Sequence, residues 1–308
     1  MGRAMVDHTM TSEISGTGRA FGRVGIWSGA LHASRVDDAG TKAIAEALAE
    51  LEELGYGTVW IGGSPTPEDA AAVVAATRSI TVATGILSIW NHTAEEAAAA
   101  ISAIDPGARR RFVLGLGVSH GPMVPQYAKP YSAMVSYIDA LDAAEPSVGS
   151  GHRVLAALGP KMLKLAAGRS LGAHPYLVTT EHTAEAREAL GPDALLAPEL
   201  TVVLDTDLDR ARTTARTMLR MYLQLPNYTD NLLRLGFTEG DFEGGGSVRL
   251  LDALFALGDA ELVRRRTREY LDAGADHVAL QVLTADEGGA GLPRAAWREL
   301  AEAFGDEL

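Results

Sequence analysis

The segment Gly117-Val118-Ser119-His120 places a histidine just beyond a short apolar run. An imidazole with an unperturbed pKa of about 6.5 can both give and take a proton near neutrality, which suits general acid or base work; in a solvated loop the same residue would do no chemistry. Further along, Ala157-Leu158-Gly159 leads into a segment opened by Pro160, a residue favoured at the first position of a helix. Free N–H groups and the positive dipole end at such a start suit a phosphate, although a plain strand-to-helix turn would read the same way. Lys161 falls in that first turn, where a cation is otherwise unfavourable, and so fits an anionic partner. Gly62 and Gly63 close another apolar run and can offer a ligand only backbone contact and room. Trp27, Ser28 and His32 follow a further run, as do Trp90, Asn91 and His92. Trp27 could serve a ligand or fill a core, and His92 could simply precede the Thr93 cap. His174 and His277 lack a second ligand at metal-binding spacing, and the chain has no cysteine, so no metal site is expected.

These residues need a scaffold that brings the ends of successive apolar runs together. Short β-branched runs alternate with longer amphipathic segments rich in Ala and Leu, the pattern of βα units around a parallel sheet. Eight runs are expected as strands, at residues 24–27, 58–61, 80–86, 112–116, 154–157, 173–178, 194–204 and 275–283. Thr66 with Pro67, and Thr93 with Glu96 three positions on, mark two helix starts, and Gly55 marks a helix stop. The expected class is α/β, a (β/α)8 TIM barrel with an α-helical insertion between strands seven and eight. Within that insertion, residues 238–247 hold Gly244-Gly245-Gly246 beside acidic groups and no hydrophobic period, which predicts a mobile loop over the mouth.

Composition narrows the partners. The 308 residues carry a formal charge of -13, which opposes binding to nucleic acid or an anionic membrane surface. No stretch approaches the apolar length of a membrane span, and residues 1–20 are small and polar, without the apolar core of a signal peptide. They are expected to be a disordered arm on a single domain of residues 21–308, in a cytoplasmic protein. Aromatics make up only 6% of a chain that is 47% apolar, so the core is expected to be mostly Ala, Val, Leu and Ile.

The ordered set Arg23-Val24-Gly25-Ile26-Trp27, Gly55-Tyr56-Gly57-Thr58-Val59-Trp60-Ile61-Gly62-Gly63-Ser64-Pro65, Arg111-Phe112-Val113-Leu114-Gly115-Leu116-Gly117, Ala156-Ala157-Leu158-Gly159-Pro160 and Ala273-Gly274-Ala275-Asp276-His277-Val278 resembles the strand ends of the luciferase-like monooxygenase superfamily, in its coenzyme F420-dependent subgroup. The resemblance runs from about Gly22 to Phe304 and implies a luciferase-like barrel that holds a flat tricyclic ring in its mouth. By that resemblance Gly62, Gly85, Ile86, Ser88, Gly117, Val118 and Ser119 lie at the ring, with a cis bond at Gly85-Ile86. Ala157, Leu158 and Gly159 match the phosphate turn. His120 stands where relatives carry a catalytic carboxylate. The resemblance further implies a deazaflavin (F420) coenzyme, with FMN as the alternative, a small-molecule substrate and a homodimer. Relatives commonly end strand two with a polar pair such as Asp-His, where this chain has Gly62 and Gly63. That departure leaves three functions open: hydride transfer with F420, FMN-dependent monooxygenation, and a non-catalytic binding paralogue.

Overall fold

The computed structural model describes residues 21–284 and 291–308, so the expected arm at residues 1–20 lies outside the described residues. Eleven strands are present among them: β1 (Val24–Ser28), β2 (Thr58–Ile61), β3 (Thr81–Thr84), β4 (Leu87–Ser88), β5 (Phe112–Gly117), β6 (Arg153–Leu155), β7 (Gly172–Ala173), β8 (Leu195–Leu196), β9 (Glu199–Leu204), β10 (Phe255–Gly258) and β11 (Val278–Val282). All pairings are parallel, in the order β10-β9-β11-β1-β2-β3-β5-β6-β7-β8, with β4 beside β5. The run from β8 into β9 closes that path. Leu195, Ala197 and Glu199 donate their N–H groups to Leu171, Ala173 and Pro175 on one side, while Asp276 and Ala279 donate to the carbonyls of Leu196 and Pro198 on the other. The parallel sheet therefore curls back on itself as a barrel.

Helices cover the outside because the outward residues of each strand are apolar. Val24, Ile26, Val59, Val82, Leu114, Leu155, Leu200 and Leu280 pack in one core with helical residues such as Leu48, Leu51, Val73, Ile138, Val263 and Trp297. The inward set is smaller: Trp60, Ala83, Val113, Val154, Leu195, Ala197 and Ala279 form a separate cluster with Trp27 against it. Alternation along each strand sorts the two sets. Both expected helix starts are present, at Pro67–Ala75 and Ala94–Ala103; the Thr93–Glu96 capping box forms, and Thr66 also makes one, with Asp69.

Several boundaries differ from the sequence reading. The expected strand at residues 80–86 ends at Thr84 as β3, which pairs both β2 and β5; past the cis Gly85-Ile86 bond, β4 pairs β5 alone. The run at residues 194–204 is split at Ala197-Pro198, since Pro198 has no N–H to continue a ladder. The run at residues 173–178 shortens to β7, and past it Leu177 takes a positive φ of 54°. The segment between β9 and β11 holds the helices Leu208–Tyr222, Pro226–Arg234, Val248–Leu254 and Ala260–Asp272, but also β10, so it is not purely helical. Residues 238–247 are not a bare loop. Glu239–Gly245 forms 3-10 turns, and the Asp241 carboxylate fixes them by accepting from the Thr238 N–H and hydroxyl, the Ser247 hydroxyl and Arg249. Arg111, just before β5, is a strut that donates to the Thr77 hydroxyl and to the Ile80 and Thr77 carbonyls. No described helix is long and apolar enough to cross a membrane.

Candidate active site

The carboxyl ends of the strands form one mouth, and its floor is a column of rings. Trp60 on β2 points inward and stacks on His174, with ring centres 4.0 Å apart and planes within 8°. The Trp60 indole N–H donates to His277 Nε2 at 3.0 Å, and His277 Nδ1 donates to the Gly22 carbonyl at 2.9 Å. Small neighbours make this possible: a Cβ on Gly25 would come within 2.7 Å of the His277 ring. Burial pushes both His174 and His277 down to about 4, so both are neutral at ordinary pH. His174 Nδ1 donates to the Ala197 carbonyl, leaving Nε2 without a partner. These histidines pack the barrel, and among the described residues no three His, Asp or Glu side chains converge as a metal site.

Above that layer lies Trp27, the last inward residue of β1. Its indole N–H donates to the Gly85 carbonyl at 3.0 Å. The ring rests directly on Gly62, where a Cβ would fall 2.2 Å from the indole carbons, and on Gly85, where it would fall 2.7 Å from the indole nitrogen. Gly62 is held from behind, because its N–H donates to Ser28 and its carbonyl accepts from His32 Nε2 at 2.7 Å. The other His32 nitrogen faces buried Asp69 at 3.1 Å. Burial raises the Asp69 pKa, but the Ser34 and Thr66 N–H groups and His32 outweigh it, and the net direction is down.

The remaining expected residues fall into three places. Ile86 is laid over Gly117, where a Cβ would lie 2.5 Å from the Ile86 side chain and 3.4 Å from the Ala156 methyl. Ser88 pairs with Gly117 in the β4–β5 ladder, the Val118 carbonyl accepts from the Trp90 indole at 2.6 Å, and Ser119 turns the chain with a φ of 54°. Gly62, Gly85, Ile86, Ser88 and Gly117 therefore share one surface. Ala157 is buried beside them, and the Leu158 carbonyl accepts from buried His182 at 2.9 Å. Gly159 opens outward with free space beside it, at the start of the helix Pro160–Arg169. That helix start offers less than its sequence suggests. Pro160 has no N–H and Met162 donates to the Gly159 carbonyl, which leaves Lys161 as the first-turn position with an N–H that no helix bond claims.

His120 lies further off, half-buried under the segment between β9 and β11. Its ring is 5.4 Å from Tyr228 and 6.4 Å from Tyr222. Burial lowers its pKa, an Asn227 side-chain contact opposes the shift, and Nδ1 has no partner. Tyr222 and Tyr176 link it to the mouth: Tyr176 lies 5.4 Å from both Tyr222 and Trp27, and its hydroxyl donates to Gln281 at 2.7 Å. Beneath this group Glu199 is fully buried and accepts from the Thr201 hydroxyl and the Leu177 N–H, yet burial still pushes it up to about 7. Sequence reasoning passed over Tyr176, Tyr222, Tyr228, Glu199 and the His32–Asp69 pair. A single carboxylate inside the apolar run at residues 194–204 was the readable signal for Glu199.

A family model described as luciferase-like monooxygenase matches residues 23–277. No curated protein sequence matches the chain. Among solved structures, an F420-dependent secondary alcohol dehydrogenase in complex with an F420-acetone adduct superposes with a TM-score of 0.65 at 13% identity, covering 92% of this chain and 99% of that one. The coenzyme F420-dependent tetrahydromethanopterin reductase from Methanopyrus kandleri gives 0.62 at 15% identity, over 93% and 98%. The oxygenating constituent of 3,6-diketocamphane monooxygenase from Pseudomonas putida, in complex with FMN, gives 0.63 at 12%, over 92% and 97%. At these identities the likeness is one of fold.

Proposed function

Because the chain belongs to the luciferase-like monooxygenase family, we propose that it is an F420-dependent oxidoreductase that moves a hydride between the deazaflavin and a small organic substrate. One observation supports this most. The backbone at Gly62 and Gly85 forms a flat bed that side chains would block, and that bed already carries a planar heteroaromatic ring, the Trp27 indole. A bed of this shape fits the tricycle of a flavin or deazaflavin. When bound, a deazaflavin supplies two-electron hydride chemistry.

The chain's own residues would do the rest. Gly62 and Gly85 give the ring close approach, Ile86 and Gly117 wall it, and the Ala157–Gly159 turn with the Lys161 N–H meets the anionic tail. His120, with its lowered pKa and an unpartnered ring nitrogen, would serve as a proton acceptor near neutral pH. The glycines at the end of β2 carry no side-chain proton, which puts proton management on the side of the mouth where His120 and the tyrosines stand. A homodimer in solution is part of the same reading. Titration of the purified protein with F420 and with FMN, followed by fluorescence, tests it. Saturable F420 binding with hydride transfer to a carbonyl or alcohol panel is expected; tight FMN binding with oxygen consumption would favour a monooxygenase, and binding of neither ends the proposal.

A further inference from the structure

The bed at the barrel mouth is filled by the protein itself. The Trp27 indole sits where a Cβ on Gly62 or Gly85 would collide with it, bonds the Gly85 carbonyl, and is backed by Tyr176, whose hydroxyl is tied to Gln281 and contacted by Tyr222. An indole and a tricyclic coenzyme ring cannot share that space. The cavity beside Trp27, lined by Ser28, Gly29, Gln281, Val282, Pro293 and Trp297, measures about 10 Å³, room for a water and far too small for an indole. Trp27 is only half-buried, so its way out is toward solvent.

We propose that Trp27 is the resident occupant of the planar-ring slot, and that a flavin-type ring enters only when the indole leaves. The inference rests on the reading that this bed takes a coenzyme ring, and it goes further by assigning a competing group within the chain. Two states exist: indole in and slot closed, indole out and slot open. A ligand for the open state binds more weakly by the fraction of molecules that are open, so removing the occupant raises apparent affinity. Trp27 then sets which rings the site admits, since a ring must replace both the Gly85 carbonyl bond and the Tyr176 contact. Small aromatic compounds gain less from doing so than a tricycle.

The test compares the full-length wild type with W27A and W27F, measuring dissociation constants for F420 and FMN by ligand fluorescence. W27A is expected to bind at least tenfold tighter than wild type. W27F retains a ring but not the N–H donor to Gly85, and should fall between the two. In wild type, binding should also shift the indole emission as Trp27 moves into water, a change that W27A lacks. Equal affinity in all three proteins overturns the inference while leaving the coenzyme reading intact. Binding by none of them, with all three folded by circular dichroism, overturns both. Should W27A fail to fold, W27F alone decides: tighter binding than wild type supports the occupant role, and equal or weaker binding refutes it.

Discussion

Replacing Glu199 with Gln should make the protein more stable, and only above about pH 5. Glu199, the first residue of β9, is buried to 1% exposure, with the Thr201 hydroxyl and the Leu177 N–H as its partners and no ion-pair partner among the described residues. Burial lifts its pKa from an ordinary 4.5 to about 7, because the charged form has lost water and gained only two hydrogen bonds. The sign follows from proton counting. Between pH 4.5 and 7 the folded chain still holds a proton that the unfolded chain has released, so stability falls as pH rises through that window. Each pH unit costs about 1.4 kcal/mol, and the whole window about 3 kcal/mol. Glutamine keeps the shape, can accept from Leu177 and donate to Thr201, and does not titrate. Urea denaturation of both proteins at several pH values isolates the effect, since the other titrating groups cancel in the difference. The two should match near pH 4.5, with the Gln variant ahead by about 3 kcal/mol at pH 8. A difference that stays flat with pH, or one that moves toward the wild type, would refute the argument and show that the folded protein holds Glu199 charged.

Two further outcomes test the frame around the mouth. Gly62→Ala puts a methyl where the Trp27 ring now lies, so it should drive the indole outward, raise its quenching by acrylamide, and cost about 1–3 kcal/mol of stability in urea. Asp69→Ala removes the acceptor shared by His32, Ser34 and Thr66 and should cost about 3 kcal/mol or more, read from the urea midpoint. Because His32 holds the Gly62 carbonyl, the same variant should also weaken F420 binding, whereas an equal loss of stability made on the far rim should not.

The sequence carried the barrel because barrels are written in repeated local signals. Alternation marks each strand, Thr-x-x-Asp and Thr-x-x-Glu mark helix starts, and each signal depends only on neighbours a few residues away. The places where the reading failed are those where distant residues decide. Pro198 splits a run that is otherwise apolar except for Glu199 and Thr201, and the second half then gains β10, a strand more than fifty positions away that the periodicity of the helical segment hides. The strut role of Arg111, the last of three consecutive arginines, is likewise set by the carbonyls at Thr77 and Ile80, which nothing nearby in sequence announces.

The site divides along the same line, and the division bears on function. Glycines at strand ends are legible as room for something, but the sequence does not say whose ring fills the room. Gly62, Gly85 and Gly117 each turned out to border a large side chain of this same protein, Trp27 for the first two and Ile86 for the third. A strand end that had merely lost a polar pair could have gained any small residue. That two glycines just past adjacent strands are matched by one indole, and that the Gly85 carbonyl receives its N–H, means the absence of side chains after β2 and after β3 is complementary to a flat group at that height in the barrel. On the proposed function these glycines shape the mouth, and proton transfer would fall to the group where His120, Tyr176, Tyr222 and Tyr228 stand together.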